Sequence, residues 1–293
     1  MAAARTGWRS YVDLVKQAGV AWFEHRAPTM GAALAFYSAF SLAPLLIIVI
    51  AVAGAVFEVD VAREAIVGQI AGLVGAPAAV AVQALLTAAQ ATTTSVFATV
   101  VGLVAVLVGA TTILVELQDD LDLIWKAPKR EGSSLLALIR ARILSLGMIL
   151  GVGFLLLVSL VLSGAFAAFE AYSESHFGGA ALPLLHLWNL VLSVGAITVL
   201  FAMLYKWLPN VPIAWTDVWM GAFITAILFS VGRFAIGLYL GRSATASAYG
   251  AAGTLVVLLL WLYYSAQVFL LGAEFTCLYA KHRARSRTAS FGC

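Results

Sequence analysis

The sequence has 293 residues, of which 63% are hydrophobic and 11% are charged, and its formal net charge is +3. This composition excludes an ordinary soluble globular domain and predicts an all-α membrane protein, a bundle of six transmembrane helices. The two cysteines have no CxxC spacing, and the four histidines form no pair at i, i+3 or i, i+4. We therefore expect no disulfide framework, no metal site and no cofactor.

Residues 1–26 carry charges throughout and lack the apolar core of a cleavable signal peptide. Between Trp8 and Trp22 the apolar residues recur on one helical face, and Arg9 and Lys16 lie on the opposite face. Aromatic and basic anchors of this kind predict a cytoplasmic amphipathic helix that lies in the membrane interface. A surface helix packed on the bundle is the alternative.

The first predicted span covers residues 30–57 and lies inside an uncharged run from Ala27 to Phe57. A helix of about 20 apolar residues crosses the hydrocarbon core of a bilayer, so this run is long enough. Small residues recur in its first half, and they let a neighbouring helix approach closely. We assign Ser38, Ser41 and Pro44 to helix packing or to a kink, and we expect this span to be the central helix of the bundle.

Five further spans follow from the distribution of charged residues, and together the six form a membrane domain over residues 27–280. Gly250 and Gly253, at the start of the last span, predict close helix packing or a kink, with substrate contact as the alternative. A basic cytoplasmic tail, 281–293, follows the last span. The further spans are predicted at 95–115, 143–169, 187–205, 215–240 and 249–279.

The positions of lysine and arginine predict the orientation of the chain. With six spans and a cytoplasmic N-terminus, 14 of the 17 basic residues lie in inner segments, whereas Arg63 and Arg242 lie in outer loops and Arg233 lies within a span. Short basic loops stay in the cytoplasm, so this partition places the protein in the bacterial inner membrane with both termini inside. If residues 62–92 crossed the membrane, the basic segment 126–142 would lie outside. We therefore predict that 62–92 form an outer-side helical cap or a re-entrant segment.

A cytoplasmic polar cluster of four carboxylates follows the second span. Carboxylates at helical spacings of three and four can hold Mg²⁺, as a nuclease site requires. The alternative is charge pairing at the end of the span, where Asp122 lies four residues before Lys126. No further acidic residue or histidine clearly completes a metal site, so we favour this alternative and predict no catalytic residue. The cluster consists of Glu116, Asp119, Asp120 and Asp122.

The basic residues after this cluster are predicted to contact anionic lipid headgroups, each contributing about 1 kcal/mol. A nucleic-acid site would need aromatic stacking platforms, and Trp125 is the only aromatic residue nearby. The expected partners are therefore membrane lipids and not nucleic acid. The sequence leaves open whether a second copy of the chain or an envelope protein is a further partner.

Arg233 is a charged residue within the fifth predicted span. A charged side chain within a span costs about 2.5–3.5 kcal/mol on insertion scales, and it usually faces a cavity or a partner. We expect Arg233 to lie in the outer half of the membrane. There it either lines a cavity that holds an anionic group or extends its side chain to the interface.

Glu274 lies near the cytoplasmic end of the last predicted span, on a stripe with Tyr264 and Gln267 that is directed into the bundle. Its distance from Arg233 along the membrane normal, roughly 20 Å, argues against a direct salt bridge. Glu274 is predicted to act as a structural clamp, with proton coupling as the alternative. The expected partners of Glu274 are Lys206, Arg140 or Arg142.

Four stretches in a fixed order carry a resemblance to a known family: LAFYSAFSLAPLL (34–46), LDLIWKAPKR (121–130), YKWLPNVPIAW (205–215) and YGAAGTLVVLLLWLYYSAQVFLLGAEFT (249–276). The chain resembles the YihY/BrkB family of bacterial inner-membrane proteins, once labelled ribonuclease BN. The resemblance implies six spans and two cytoplasmic ends, and it implies no settled activity. The family pattern usually has Asn at the position of Asp122, so a role that depends on the Asn side-chain amide does not carry over to this chain.

We expect the protein to transport or translocate a lipid or another anionic or amphipathic envelope component. This hypothesis is favoured by two charged residues within spans, Arg233 and Glu274, which lie in opposite leaflets. It is also favoured by helices with small residues that can shift against each other. The chain has no ATP-binding P-loop, so pumping would need a proton gradient or a partner. A non-transporting envelope scaffold is the alternative, and a membrane-bound ribonuclease is disfavoured, so we expect no enzyme.

Overall fold

The structure is a computed structural model that describes residues 8–54, 112–128, 182–242 and 251–290, together with 63–64, 67–68, 80 and 83. Within these ranges the chain is helical and contains no strand. The helices are α1 (Trp8–Glu24), α2 (Ala27–Gly54), α3 (the helical segment 112–125), α4 (Leu182–Trp207), α5 (Trp215–Arg242) and α6 (Ala251–Ser290).

Helices α2, α4, α5 and α6 contain nearly all of the predicted spans 30–57, 187–205, 215–240 and 249–279. Two helical stretches in the described ranges are long and apolar enough to cross a membrane, Trp215–Ile236 and Leu255–Ala284. The segment 62–92, the span 143–169 and most of the span 95–115 lie outside the described residues. The count of six spans therefore stays a prediction.

The central helix of the described part is α6. The central place predicted for α2 concerns the whole bundle and stays a prediction. Helix α6 packs against α1, α2 and α5, and α4 packs against α5. Phe36 and Phe40 of α2 are exposed. The largest buried side chains of the core come from α3, α4 and α6, and they include Leu121, Tyr205 and Leu270.

Helix α1 packs Leu14 and Ala18 against Phe275 of α6. This contact agrees with the alternative reading of the N-terminal segment, a surface helix on the bundle. Val20 and Phe23 are exposed, as expected for apolar residues of an interfacial helix that contact lipid in the membrane. A position in the membrane interface stays a prediction.

Two sharp turns set the directions of the helices around α6. Arg26 adopts a positive φ of 58°, which ends α1 and lets α2 begin at once in a new direction. Lys126 adopts a φ of 52° at the end of α3. Between α4 and α5, Pro209 and Pro212 end the helix as predicted, because proline lacks the backbone N–H that a helix needs.

Candidate functional site

The candidate functional site is the polar stripe of α6, formed by Tyr264, Gln267 and Glu274. These residues lie on one side of the helix, and each contacts a different neighbour. Tyr264 bonds to α5, whereas Gln267 and Glu274 face the corner between α1 and α2. The stripe is thus directed into the bundle.

Glu274 binds His25, which is the residue just before the left-handed turn at Arg26. The His25 Nδ1 and Glu274 Oε1 atoms lie 2.5 Å apart. When the carboxylate is ionised it can only accept, and the imidazole then donates this hydrogen bond. The Glu274 side chain is 2% exposed and that of His25 is 25% exposed. The site therefore holds a buried carboxylate whose partner comes from the far end of the chain.

The described partner of Glu274, His25, was not among the three that the sequence analysis named, and one of those three, Lys206, has other contacts. The ammonium group of Lys206 donates to the carbonyl of Ile213 and lies 5.6 Å from the ring centroid of Trp215. Lys206 therefore closes the turn between α4 and α5 instead of meeting Glu274. Arg140 and Arg142 lie outside the described residues.

Gln267 reaches the start of α2 through long contacts. Its Nε2 atom lies 3.4 Å from the carbonyl oxygen of Ala27 and 3.5 Å from that of Pro28. Gly31 lies directly against this amide, and a side chain there would overlap it. The Oε1 atom of Gln267 is buried and accepts no hydrogen bond. The amide is thus held loosely, with one acceptor unused.

Tyr264 binds α5 much more firmly. Its hydroxyl donates to the carbonyl of Leu228 at 2.8 Å, and its ring fills the space above Gly232, where any side chain would overlap it. Arg233 follows Gly232 and is half-buried. Because Tyr264 and Glu274 are ten residues apart on α6, Arg233 lies near a level about 15 Å from Glu274 along that helix.

A buried tyrosine that the sequence analysis missed joins α4 to α5 and α6. The hydroxyl of Tyr205 donates to the carbonyl of Phe269 at 2.7 Å and lies 3.1 Å from the hydroxyl of Thr225. Gly272 makes room for both side chains, and Gly221 makes room in the same way for Thr276. The four-residue spacing from Gly221 to Thr225 and from Gly272 to Thr276 is a small-residue signal that could have identified this contact.

The remaining predicted packing residues are only partly described. Helix α2 continues through Ser41 and Pro44, and Ser38 is half-buried. Gly253 lies in α6. Gly250 lies outside the described residues, so its predicted role is untested.

The carboxylates of α3 do not converge. Asp122 accepts two hydrogen bonds from Asn210 in the turn between α4 and α5, one from the backbone N–H at 2.8 Å and one from the side-chain amide at 2.5 Å. The predicted pairing of Asp122 with Lys126 is thus replaced by this contact. Among the described residues no group of three or more His, Cys, Asp or Glu side chains is placed to hold a metal ion.

Asp120 is the buried member of the cluster. It is 6% exposed, and its Oδ2 atom has no hydrogen-bond partner among the residues that the structure describes. Burial, and then the negative charges of Glu116 and Asp119, raise the pKa of Asp120 to about 7. Burial and then the charge of Asp122 also raise the pKa of Asp119, which is more exposed.

An ion pair fixes the end of α6 that extends beyond the core. Arg283 donates to Asp217 in the first turn of α5 at 2.9 Å. A carboxylate in the first turn of a helix is also favoured by the helix dipole. The pair holds the C-terminal part of α6 against the start of α5.

A comparison with known families gives a match over nearly the whole chain. The family model described as virulence factor BrkB matches residues 20–291. The chain belongs to the BrkB family. This match confirms the resemblance seen in the sequence. The relatives of this BrkB-family member are named as membrane proteins. It is therefore a membrane protein.

Three relatives of this BrkB-family protein carry the name UPF0761 membrane protein. The one from Tolumonas auensis is 39% identical over 125 residues, which are 42% of this chain and 38% of the relative. The one from Verminephrobacter eiseniae is 42% identical over 76 residues, 26% of this chain and 18% of the relative. The one from Ralstonia nicotianae is 31% identical over 165 residues, 54% of this chain and 34% of the relative.

The matched part makes up well under half of each of these relatives. Their names state a membrane location and no activity. No solved structure matches the chain.

Proposed function

We propose that this BrkB-family protein translocates a lipid or another anionic, amphipathic envelope component across the bacterial inner membrane. The proposed architecture has six spans, with both chain ends in the cytoplasm and residues 62–92 as an outer-side cap or re-entrant segment. The observation that supports translocation most is the buried carboxylate of Glu274, which lies within an apolar helix and is paired with the partly exposed His25.

An ionisable group inside a span is costly and commonly marks a path for substrates or ions. Glu274 lies within the apolar stretch Leu255–Ala284, and its partner His25 belongs to a different element, the corner between α1 and α2. A pair of this kind can open without unfolding either helix. It therefore suits a contact that changes during a transport cycle.

The polar contacts of α6 differ on its two sides. Toward α4 and α5, Tyr205 and Tyr264 donate hydrogen bonds of 2.7 and 2.8 Å. Toward the corner, the His25–Glu274 hydrogen bond is short at 2.5 Å, whereas Gln267 makes contacts of only 3.4 and 3.5 Å, and no described residue donates to its Oε1 atom. We infer that α6 stays with α4 and α5 and moves against the corner between α1 and α2 when the His25–Glu274 hydrogen bond opens.

Arg233 is the proposed contact for the anionic group of the substrate. It is half-buried, and it lies at the level of Tyr264, about 15 Å along α6 from Glu274. A guanidinium group binds phosphate through several donors at once, which suits the headgroup of an anionic lipid. The two charged sites would then serve opposite halves of the path.

Translocation can be tested with purified protein in vesicles that contain fluorescent NBD-labelled phosphatidylglycerol. Dithionite added outside destroys only the label in the outer leaflet, so further loss reports lipid movement. We expect Arg233→Ala to reduce that movement at least tenfold and Arg242→Ala, at the end of the same helix, to leave it unchanged. Size-exclusion profiles establish that both variants fold. Parent protein that moves no label, or equal rates in both variants, contradicts the proposal.

The alternative function is a non-transporting envelope scaffold. The Asp217–Arg283 and Asp122–Asn210 contacts support it, because each fixes one element to another without a ligand. Vesicles that show no lipid movement with well-folded parent protein would favour the scaffold. RNA cleavage that is lost on replacing Asp119 and Asp120 with Ala would favour the ribonuclease instead.

A further inference from the structure

Two carboxylates of α3, two residues apart, have opposite surroundings. Both oxygens of Asp122 accept an N–H group of Asn210, and this arrangement satisfies an ionised carboxylate. Asp120 is 6% exposed, and no residue in the described part of the chain donates a hydrogen bond to its Oδ2 atom. A buried carboxylate without donors is costly, whereas the neutral acid carries its own hydrogen and loses far less on burial.

The charges around Asp120 act in the same direction. Among the described residues, the charged groups that act on it are Glu116, one turn earlier, and Asp119, both negative and both on α3. Helix α6 contacts the end of α3 through Cys277 and the carbonyl of Ile124, and the turn between α4 and α5 contacts it through Asn210 and Asp122. The groups there are Glu274 and Lys281 of α6 and Lys126 at the end of α3, and they act on Cys277.

We propose that Asp120 is a proton-binding site that supplies the coupling proton for the translocation proposed above. The proton adds to the unpaired Oδ2 and forms an O–H bond, and it leaves to water when the group ionises. No change of oxidation state and no other reactant is involved. The role rests on the proposed function, and in the proposed topology Asp120 lies on the cytoplasmic side.

Infrared spectroscopy of the purified protein in lipid vesicles tests the site directly, because a protonated carboxyl group has its own carbonyl band. We expect a band that titrates near neutral pH in the parent and is missing in Asp120→Asn. Glu116→Gln should keep the band and lower its midpoint by a few tenths of a pH unit, since one negative neighbour is removed. Asp13→Asn, which replaces an exposed carboxylate of α1, should change neither.

A band that is absent at about pH 6 in the parent, or that survives unchanged in Asp120→Asn, overturns the proposal. In the same vesicles, the movement of NBD-labelled phosphatidylglycerol should depend on pH between about 6 and 8 in the parent and not in Asp120→Asn. A pH dependence that persists in this variant overturns the coupling role. The infrared titration needs no transport, so parent protein that moves no label refutes the proposed function while the proton site is still decided.

Discussion

Removing His25 should destabilise the protein because it leaves the carboxylate of Glu274 buried without its donor. The Glu274 side chain is 2% exposed, and the 2.5 Å hydrogen bond comes from a group that is 25% exposed. Breaking a fully buried pair by removing one partner costs about 3–5 kcal/mol, and a hydrogen bond to a charged group contributes about 1.5–3 kcal/mol. Because His25 is partly solvated, we expect His25→Ala to lower the free energy of unfolding by about 2–3 kcal/mol.

The double variant separates this pair from a general loss of packing. Glu274→Gln removes the buried charge, so His25→Ala should cost less in that background, with a coupling free energy of about 1–3 kcal/mol. The assay is chemical unfolding of the protein in mild detergent. The alkylation rate of Cys277 in a Cys293→Ser background also reports local opening of the helix contact, because Cys277 is buried one turn from Glu274. His282→Ala removes an exposed imidazole and serves as the control. Additive effects of the two substitutions would refute the reasoning.

Three further predictions concern stability. Gly232→Ala should destabilise the protein by about 1–3 kcal/mol, because the added methyl group meets the Tyr264 ring. The control Gly195→Ala has open space and should stabilise α4 by up to about 1 kcal/mol. Equal shifts of the thermal midpoint in the two variants would contradict the close contact. Asp122→Ala should cost about 0.5–1.5 kcal/mol by removing the hydrogen bonds to Asn210, whose exposed donors then bind water, with Asp122→Asn intermediate. A neutral Asp122→Ala in chemical denaturation would contradict the contact. The raised pKa of Asp120 means that the folded state binds more protons than the unfolded state between about pH 4 and 7, so its contribution to stability is lost as pH rises through about 7. Asp120→Asn should therefore have a higher free energy of unfolding than the parent at pH 8, by at most about 4 kcal/mol, and this difference should shrink toward pH 5. Denaturation curves that give the same difference at both pH values would contradict this.

Several helices follow directly from the sequence because apolar runs and charged flanks are local signals. Helix α2 begins at Ala27, where the uncharged run begins. The turn between α4 and α5 lies at Pro209 and Pro212, because proline cannot continue the helix. The inward direction of Tyr264, Gln267 and Glu274 also follows from their helical spacing, since it requires only the period of one helix.

The partners of these polar groups depend on distant parts of the chain. His25 meets Glu274 at the point where Arg26 adopts a left-handed conformation and turns the chain from α1 into α2. Asp122 meets Asn210 across 88 residues, although Lys126 lies at the favourable helical spacing. A local rule of charge pairing prefers the near residue, and tertiary packing decides otherwise. For this reason the sequence indicated the site on α6 but not its partners.

The movement of α6 against the corner between α1 and α2 can be tested with a reversible cross-link. A Cβ atom at Gly31 would lie 3.5 Å from that of Ala266, within the range of a disulfide, and only the flexible Gln267 amide must move aside. The test protein carries Gly31→Cys and Ala266→Cys in a background with Ala at Cys277 and Cys293. We expect its reduced form to move NBD-labelled phosphatidylglycerol, its oxidised form to lose that movement, and renewed reduction to restore it. An oxidised, fully cross-linked protein that moves the lipid at the rate of its reduced form would contradict the account.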